Sequence, residues 1–195
     1  MKKVIIDQTN YVFDNFFKLE EAYVRYELFN GEMSPSTRRF SLERGASAAV
    51  LVFNLDTQKI ILINQFRYPT YQNGHGWLTE IVAGMVDPGE TPEESARREL
   101  IEEAGLHIST FEPICNFYPS PGGSSEMIYL YYAEVSGENA KYHQTGGLAQ
   151  HGEDIISIEI TLEEALNKIK LGEIIDAKTI MGILWLKNRQ LQKRS

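Results

Sequence analysis

The sequence predicts an α/β fold. A mixed sheet carries helices on both faces, an α/β/α sandwich, with a small β layer at the N-terminal end. Three observations predict it. Short apolar or alternating runs bounded by turn residues recur from about position 22 onward, the pattern of strands. Two of those runs lead into T-x-x-E signals, Thr91 to Glu94 and Thr161 to Glu164, which open helices. Asp176 stands before a segment in which Ile180, Ile183, Leu184 and Leu186 share one apolar side, the mark of a final amphipathic helix.

The elements follow in order. Residues 22–30 alternate as a strand, Gly31 to Pro35 form a turn, and residues 37–43 form a second strand. A two-stranded hairpin is marginal in water, so this layer must pack on something else. Residues 1–44 form this N-terminal layer, and residues 45–195 form the main domain. Residues 48–53 and 59–66 are strands joined by a turn at 54–58, and residues 77–82 form one more. Thr91 is an N-cap, Pro92 opens the helix, Glu94 closes a capping box, and Gly105 stops the helix about 13 residues on. Residues 111–118 and 127–135 are two further strands around the tight SPGG segment. Residues 136–152 are a long polar loop, and loops of that length are often functional. Residues 155–160 are a short strand, and a helix from Thr161 ends near Gly172.

Composition narrows the function. Hydrophobic residues make up 43% of the 195 positions, enough for a packed core. The formal net charge of −8 and the lack of a basic patch argue against duplex DNA or long RNA as partner. A single cysteine, Cys115, rules out an intrachain disulfide, and its apolar neighbours read it as a small core residue. The apolar run Val4 to Ile6 is too short for a signal segment, and no run approaches a membrane span. The expectation is a cytoplasmic protein with no membrane association.

The densest chemistry lies in GMVDPGETPEESARRELIEEAGL, residues 84–106. Glu99, Glu102 and Glu103 stand at i, i+3 and i+4 and share one side of the helix, with Glu90 in the loop before it. Clustered carboxylates repel one another unless a cation binds among them. Oxygen ligands without thiol or imidazole point to Mg2+ or Mn2+. The alternative is a solvated acidic helix, with Arg98 and Glu102 an exposed pair worth about 0.3–0.5 kcal/mol.

This segment resembles the Nudix box, G-x5-E-x7-R-E-U-x-E-E-x-G-U with U aliphatic, at every fixed position. The resemblance implies the same α/β/α sandwich and a pyrophosphatase acting on nucleoside diphosphates linked to another group. It implies Glu99 and Glu103 as principal metal ligands, Glu102 as a secondary one, and Arg98 as the residue that positions the cluster. Four more segments resemble the ADP-ribose pyrophosphatase and nucleoside diphosphate sugar hydrolase branch. They are YELFNGEMSPSTRRFSLERG, INQFRYPTY, FYPSPGGSSE and GLAQHGEDI. In that branch the Ala83 carbonyl is a further metal ligand. Arg67 binds the diphosphate, where a guanidinium suits bidentate contact. Arg39 and Arg44 are substrate candidates, each with a structural ion pair as the alternative. Ser120 and Glu126 lie where relatives hold the terminal ribose, and for Ser120 and Pro121 a plain tight turn serves equally well. Phe117 and Tyr118 are expected in the core rather than stacked on a base.

The loop before Ile155 departs from the pattern. Relatives place a glutamate two positions before the Glu of the EDI segment as general base, and His151 stands there. Glu153 remains as a carboxylate able to ligate metal or take a proton, and it is the first choice. His151, with an ordinary pKa near 6.5, is the second.

The function expected is Mg2+-dependent hydrolysis of ADP-ribose or a related nucleoside diphosphate sugar. GDP-mannose hydrolysis is the alternative, and a non-catalytic ligand-sensing Nudix module is the reading from another class. The intact box speaks against the sensor, and a lone cysteine excludes the zinc cluster of NADH-type relatives. A homodimer built through the N-terminal layer completes the expectation.

Overall fold

A computed structural model describes residues 1–147, 152 and 154–193. It divides into two compact units. The first is Met1–Gly45 together with Tyr118–Met127, and the second is Ala46–Phe117 with Ile128–Ser195.

The first unit is a three-stranded antiparallel sheet of β1 (Val4–Asp14), β2 (Lys18–Tyr26) and β3 (Thr37–Glu43), in that order. Two corrections apply to the hairpin expected from sequence. The first strand starts at Lys18 rather than 22 and ends at Tyr26, because Leu28 turns back and its N–H donates to the Glu32 carbonyl at 2.8 Å. In addition β1 was not foreseen. Its residues are exposed along nearly the whole strand, so no buried side imposes a period of two on the sequence. Segment Tyr118–Met127 ties onto β3: the Leu42 N–H donates to the Gly123 carbonyl at 2.8 Å, and the Ser125 hydroxyl donates to Glu43 Oε2 at 2.6 Å.

The second unit is a sandwich. Its sheet runs β10 (Thr145–Gly146), β11 (Ile155–Ile160), β5 (Lys59–Phe66), β4 (Ala46–Asn54), β9 (Met127–Val135), β8 (Glu112–Phe117). β6 (Trp77–Glu80) also pairs with β5, and β7 (Val82–Met85) with β4. The sequence reads a single strand at residues 77–82, where the structure has two, the second reaching Met85. They part at Ile81, whose N–H donates to Thr179 Oγ1 at 2.9 Å instead of to the sheet.

Alternation in β4 builds a core on each face. Ala48, Val50 and Val52 face one side with Ala96, Leu100 and Ala104 of helix α2 (Pro92–Ala104). Ala49, Leu51 and Phe53 face the other with Ala165 of α3 (Leu162–Leu171), and Ile183 and Leu186 of α4 (Ala177–Gln192). Burial on both faces explains why β4 and β5 read as almost unbroken apolar runs. A one-turn helix, α1 (Tyr68–Tyr71), follows β5 with a proline in its first turn. Cys115 is half-buried against the second core. Phe117 packs there too, but Tyr118 is exposed, contrary to expectation: β8 ends at Phe117, and the chain then leaves the sheet for the first unit.

Candidate active site

The acidic residues are held by a helix whose two ends are closed by side chain and backbone. At the N-terminus the Glu94 N–H donates to Thr91 Oγ1 at 3.2 Å, and the Thr91 N–H donates back to Glu94 Oε2 at 2.7 Å. At the C-terminus Gly105 takes φ 67°, which a side chain would disfavour, and its N–H closes on the Ile101 carbonyl at 3.0 Å. Leu100 and Ala104 bury one side of α2, so Glu99 and Glu103 lie at its edge against β7 rather than in open water.

Arg98 organises the near part of the cluster. Its Nε donates to Glu90 Oε1 at 2.9 Å, and its Nη1 donates to Glu99 Oε1 at 2.7 Å and Glu102 Oε2 at 3.3 Å. Nη2 donates to Glu90 Oε2 and to the Met85 carbonyl, both at 3.0 Å. This is more than an exposed i,i+4 pair. The hydrogen bond from Arg98, more than any other influence, holds the Glu90 carboxyl below the usual range.

Glu103 is the buried member, 6% exposed. Burial first, and then the charge of Glu99, push its pKa up to about 8, against the pull of Arg67. The Ala83 N–H donates to it, yet its Oε2 is buried and has no hydrogen-bond partner among the described residues. An orphaned carboxylate oxygen in such a place is costly unless a cation meets it. Glu99 lies close by against the backbone of Gly84, where a Cβ would come within 1.9 Å of its carboxylate. Among the described residues no three acidic, histidine or cysteine side chains stand in ligating geometry, since Arg98 lies between Glu90, Glu99 and Glu102. The oxygen-only donor set and the orphaned oxygen nevertheless fit a hard divalent cation.

Arg67, at the end of β5, donates from Nε to Glu80 Oε1 at 2.7 Å. It is close enough to influence Glu103, so the structure brings together Glu99, Glu103, Ala83 and Arg67. Arg39, Arg44, Ser120 and Glu126 belong to the first unit. Arg44 pairs with Glu126 at 3.8 Å and stacks its guanidinium over Phe17. Arg39 is exposed on β3 and donates to the Arg38 carbonyl at 3.0 Å. The Ser120 carbonyl accepts from the Gly123 and Ser124 N–H groups, which makes it a turn residue. His151 and Glu153 lie outside the described residues.

The NUDIX domain model matches residues 43–181. The chain belongs to the Nudix family. It is 38% identical over 176 residues to an ADP-ribose pyrophosphatase of Escherichia coli strain K12, covering 90% of this chain and 83% of that protein. It is 36% identical over 186 residues to a GDP-mannose pyrophosphatase of Enterobacter sp. strain 638, covering 94% and 95%. A GDP-mannose pyrophosphatase of Citrobacter koseri is 35% identical over 192 residues, covering 97% and 98%. Nudix hydrolases use divalent metal ions, in keeping with the donor set. No described helix is long and apolar enough to cross a membrane.

Two charged residues linked to Arg67 escaped the sequence reading, Glu80 and Lys178, and Asp176 was read only as the cap of the last helix. Lys178 Nζ donates to Asp176 Oδ1 at 2.9 Å and to Glu80. The signals were present. Glu80 is a lone charge in the apolar run WLTEIVAGM, and Lys178 is a cation in the first turn of a helix, where the macrodipole disfavours it.

Proposed function

We propose that this chain hydrolyses the diphosphate of a nucleoside diphosphate sugar, ADP-ribose foremost, to a nucleoside monophosphate and a sugar phosphate. The observation that carries the reading is the buried Glu103 carboxylate, with its orphaned oxygen, beside Glu99 and within reach of Arg67. Glu99 and Glu103 would hold Mg2+, or Mn2+ in its place, with Glu102, Glu153 and the Ala83 carbonyl as further ligands. When bound, the cation supplies neutralisation of the diphosphate charge that otherwise repels a nucleophile. Arg98 keeps Glu90, Glu99 and Glu102 in position, and Arg67 binds the diphosphate. Arg39, Arg44, Ser120 and Glu126 contact the substrate. A water oxygen attacks one phosphorus and the bridging P–O bond breaks. Glu153 takes the water proton, with His151 the second choice for that role. Glu153→Gln is expected to cost about 10²-fold or more in turnover. A larger loss of turnover in His151→Ala would reverse the assignment.

The protein acts in the cytoplasm as a homodimer whose N-terminal layer contributes to the partner's site. Similarity to GDP-mannose pyrophosphatases over 94–97% of the chain supports GDP-mannose as the second substrate reading. A panel of ADP-ribose, GDP-mannose, UDP-glucose, NADH and nucleoside triphosphates with Mg2+, followed by phosphate release with a coupled phosphatase, tests the proposal. ADP-ribose is expected to give the highest kcat/KM. A triphosphate better than any diphosphate sugar by more than about tenfold refutes it.

A further inference from the structure

A buried chain of charges runs from the first turn of α4 to Arg67. Lys178 Nζ donates to Asp176 and to one oxygen of Glu80. Glu80 is 1% exposed, and its other oxygen accepts from Arg67 Nε at 2.7 Å. Both ends of the chain are locked. Asp176 Oδ2 accepts from the Thr179 N–H at 2.9 Å and so caps α4, while Thr179 Oγ1 accepts from the N–H of Ile81, next to Glu80, at 2.9 Å. Glu80 itself is held in β6, opposite Ile63 of β5.

This is an unfavourable place for a lysine. Burial removes the ammonium from water, and the helix end beside it carries positive partial charge. An apolar side chain would fill the volume without either cost. What it would not supply is a second cation for Glu80. With one oxygen held by Lys178, Glu80 presents the other to Arg67 in a set direction. The atom engaged on Arg67 is Nε, so the pair does not require the terminal amino groups, and these are the groups that reach two phosphate oxygens at once.

We propose that Lys178 is a positioning residue for diphosphate binding: through Glu80 it orients Arg67, so that the terminal amino groups of Arg67 meet the substrate diphosphate beside Glu103. The inference rests on the diphosphatase reading above. A chain with a purely structural role would change stability alone. A positioning chain changes ligand affinity, because an arginine that must be reoriented at each encounter loses conformational freedom on binding.

The test uses the full chain and a non-hydrolysable α,β-methylene analogue of ADP-ribose, titrated by calorimetry with Mg2+ present. Lys178→Met and Lys178→Gln are expected to weaken analogue binding by about tenfold or more. KM should rise by a similar factor while kcat changes less, and Lys178→Arg should recover most of the affinity. Folded Met and Gln variants that melt lower but bind and turn over as the wild type does overturn the proposal. Nuclear magnetic resonance of the wild type keeps it falsifiable if neither variant folds. The Arg67 Nε–H signal should be slow to exchange and little changed by the analogue, and a fast-exchanging signal that orders only on binding overturns it. Should the wild type bind no analogue and hydrolyse no diphosphate, the diphosphatase reading fails. Should the wild type bind and both variants match it, only the role of Lys178 fails.

Discussion

Glu103 has a proton affinity out of keeping with an ordinary carboxyl. Buried, and facing Glu99, it titrates at about 8 rather than 4.5. The folded chain therefore keeps this proton over a range in which the unfolded chain has lost it. The stability linked to it is complete below about pH 4.5 and is lost as the pH rises through about 8. In chelator-treated protein, Glu103→Gln should melt like the wild type near pH 4 and increasingly above it as the pH rises. It should melt higher by at least about 2 °C at pH 9, where the buried charge has been removed. A melting difference that does not grow with pH contradicts this account of Glu103. The same variant should lose about 10²–10³-fold in turnover, the scale for a lost electrostatic stabiliser. Near-wild-type turnover at saturating Mg2+ would rule Glu103 out as a ligand. Gly84 makes a separate prediction. Its φ is not in the left-handed region, so alanine fits the backbone, but the new Cβ would displace the Glu99 carboxylate. Gly84→Ala should keep its melting temperature within a few degrees and lose about tenfold or more in kcat/KM. Full activity would mean that Glu99 need not rest where it does. Glu99 and Glu103 were legible as a pair from their spacing on a capped helix. Which of them is buried was not, because burial depends on β7 and Arg67, which are distant in sequence.

At the scale of elements, the C-terminal end of α2 carries the loop that leads toward residues 148–153. The His143 N–H donates to the Ala104 carbonyl at 2.8 Å, and the Gly147 N–H donates to the Glu102 carbonyl at 3.2 Å. These bonds satisfy carbonyls that a helix leaves open at its end. Gly146 permits the approach, since a Cβ there would stand 1.9 Å from the Glu103 carbonyl oxygen. Backbone cannot yield as a flexible side chain can. Gly146→Ala should therefore lower the melting temperature by several degrees and reduce turnover by about tenfold or more, with KM less affected. A variant with unaltered melting and kinetics would show that the loop need not dock here. The polar composition and glycines of residues 136–152 marked a loop of functional length. They did not reveal its two-residue strand β10 or its seat on α2, because a contact made by backbone atoms leaves little trace in side-chain patterning. Likewise residues 77–82 read as one strand, and only the hydrogen bond from Ile81 to Thr179, 98 positions away, divides it.

At the scale of the molecule, the first unit exposes several large apolar side chains along and just after β1. Val4, Ile6, Tyr11, Val12, Phe13 and Phe16 are all exposed. Exposed apolar side chains of this size favour burial against a partner, and the covering surface proposed here is a second copy of this chain. Light scattering should give a dimer at micromolar concentration. Ile6→Asp combined with Phe13→Asp should give a folded monomer with KM raised by about tenfold or more, since Arg39 and Arg44 would no longer reach a partner's site. A wild type that is monomeric and fully active refutes the arrangement.

The sequence by itself determined the sandwich, the limits of α2 and α3, the start of α4, the acidic cluster and the family. Each of these rests on local rules: period two in strands, paired signals at helix ends, and ligand spacing along one turn. It left β1 unseen and placed Tyr118 in the core. Tertiary structure alone decided that Glu103 is the buried carboxylate with an unpartnered oxygen. It likewise decided that Arg98 binds three glutamates at once, and that Lys178, Glu80 and Arg67 form one chain. The physical reason is separation along the chain. Burial and charge depend on what the fold brings within a few ångströms, and Glu80 meets Lys178 across 98 positions that no local pattern connects.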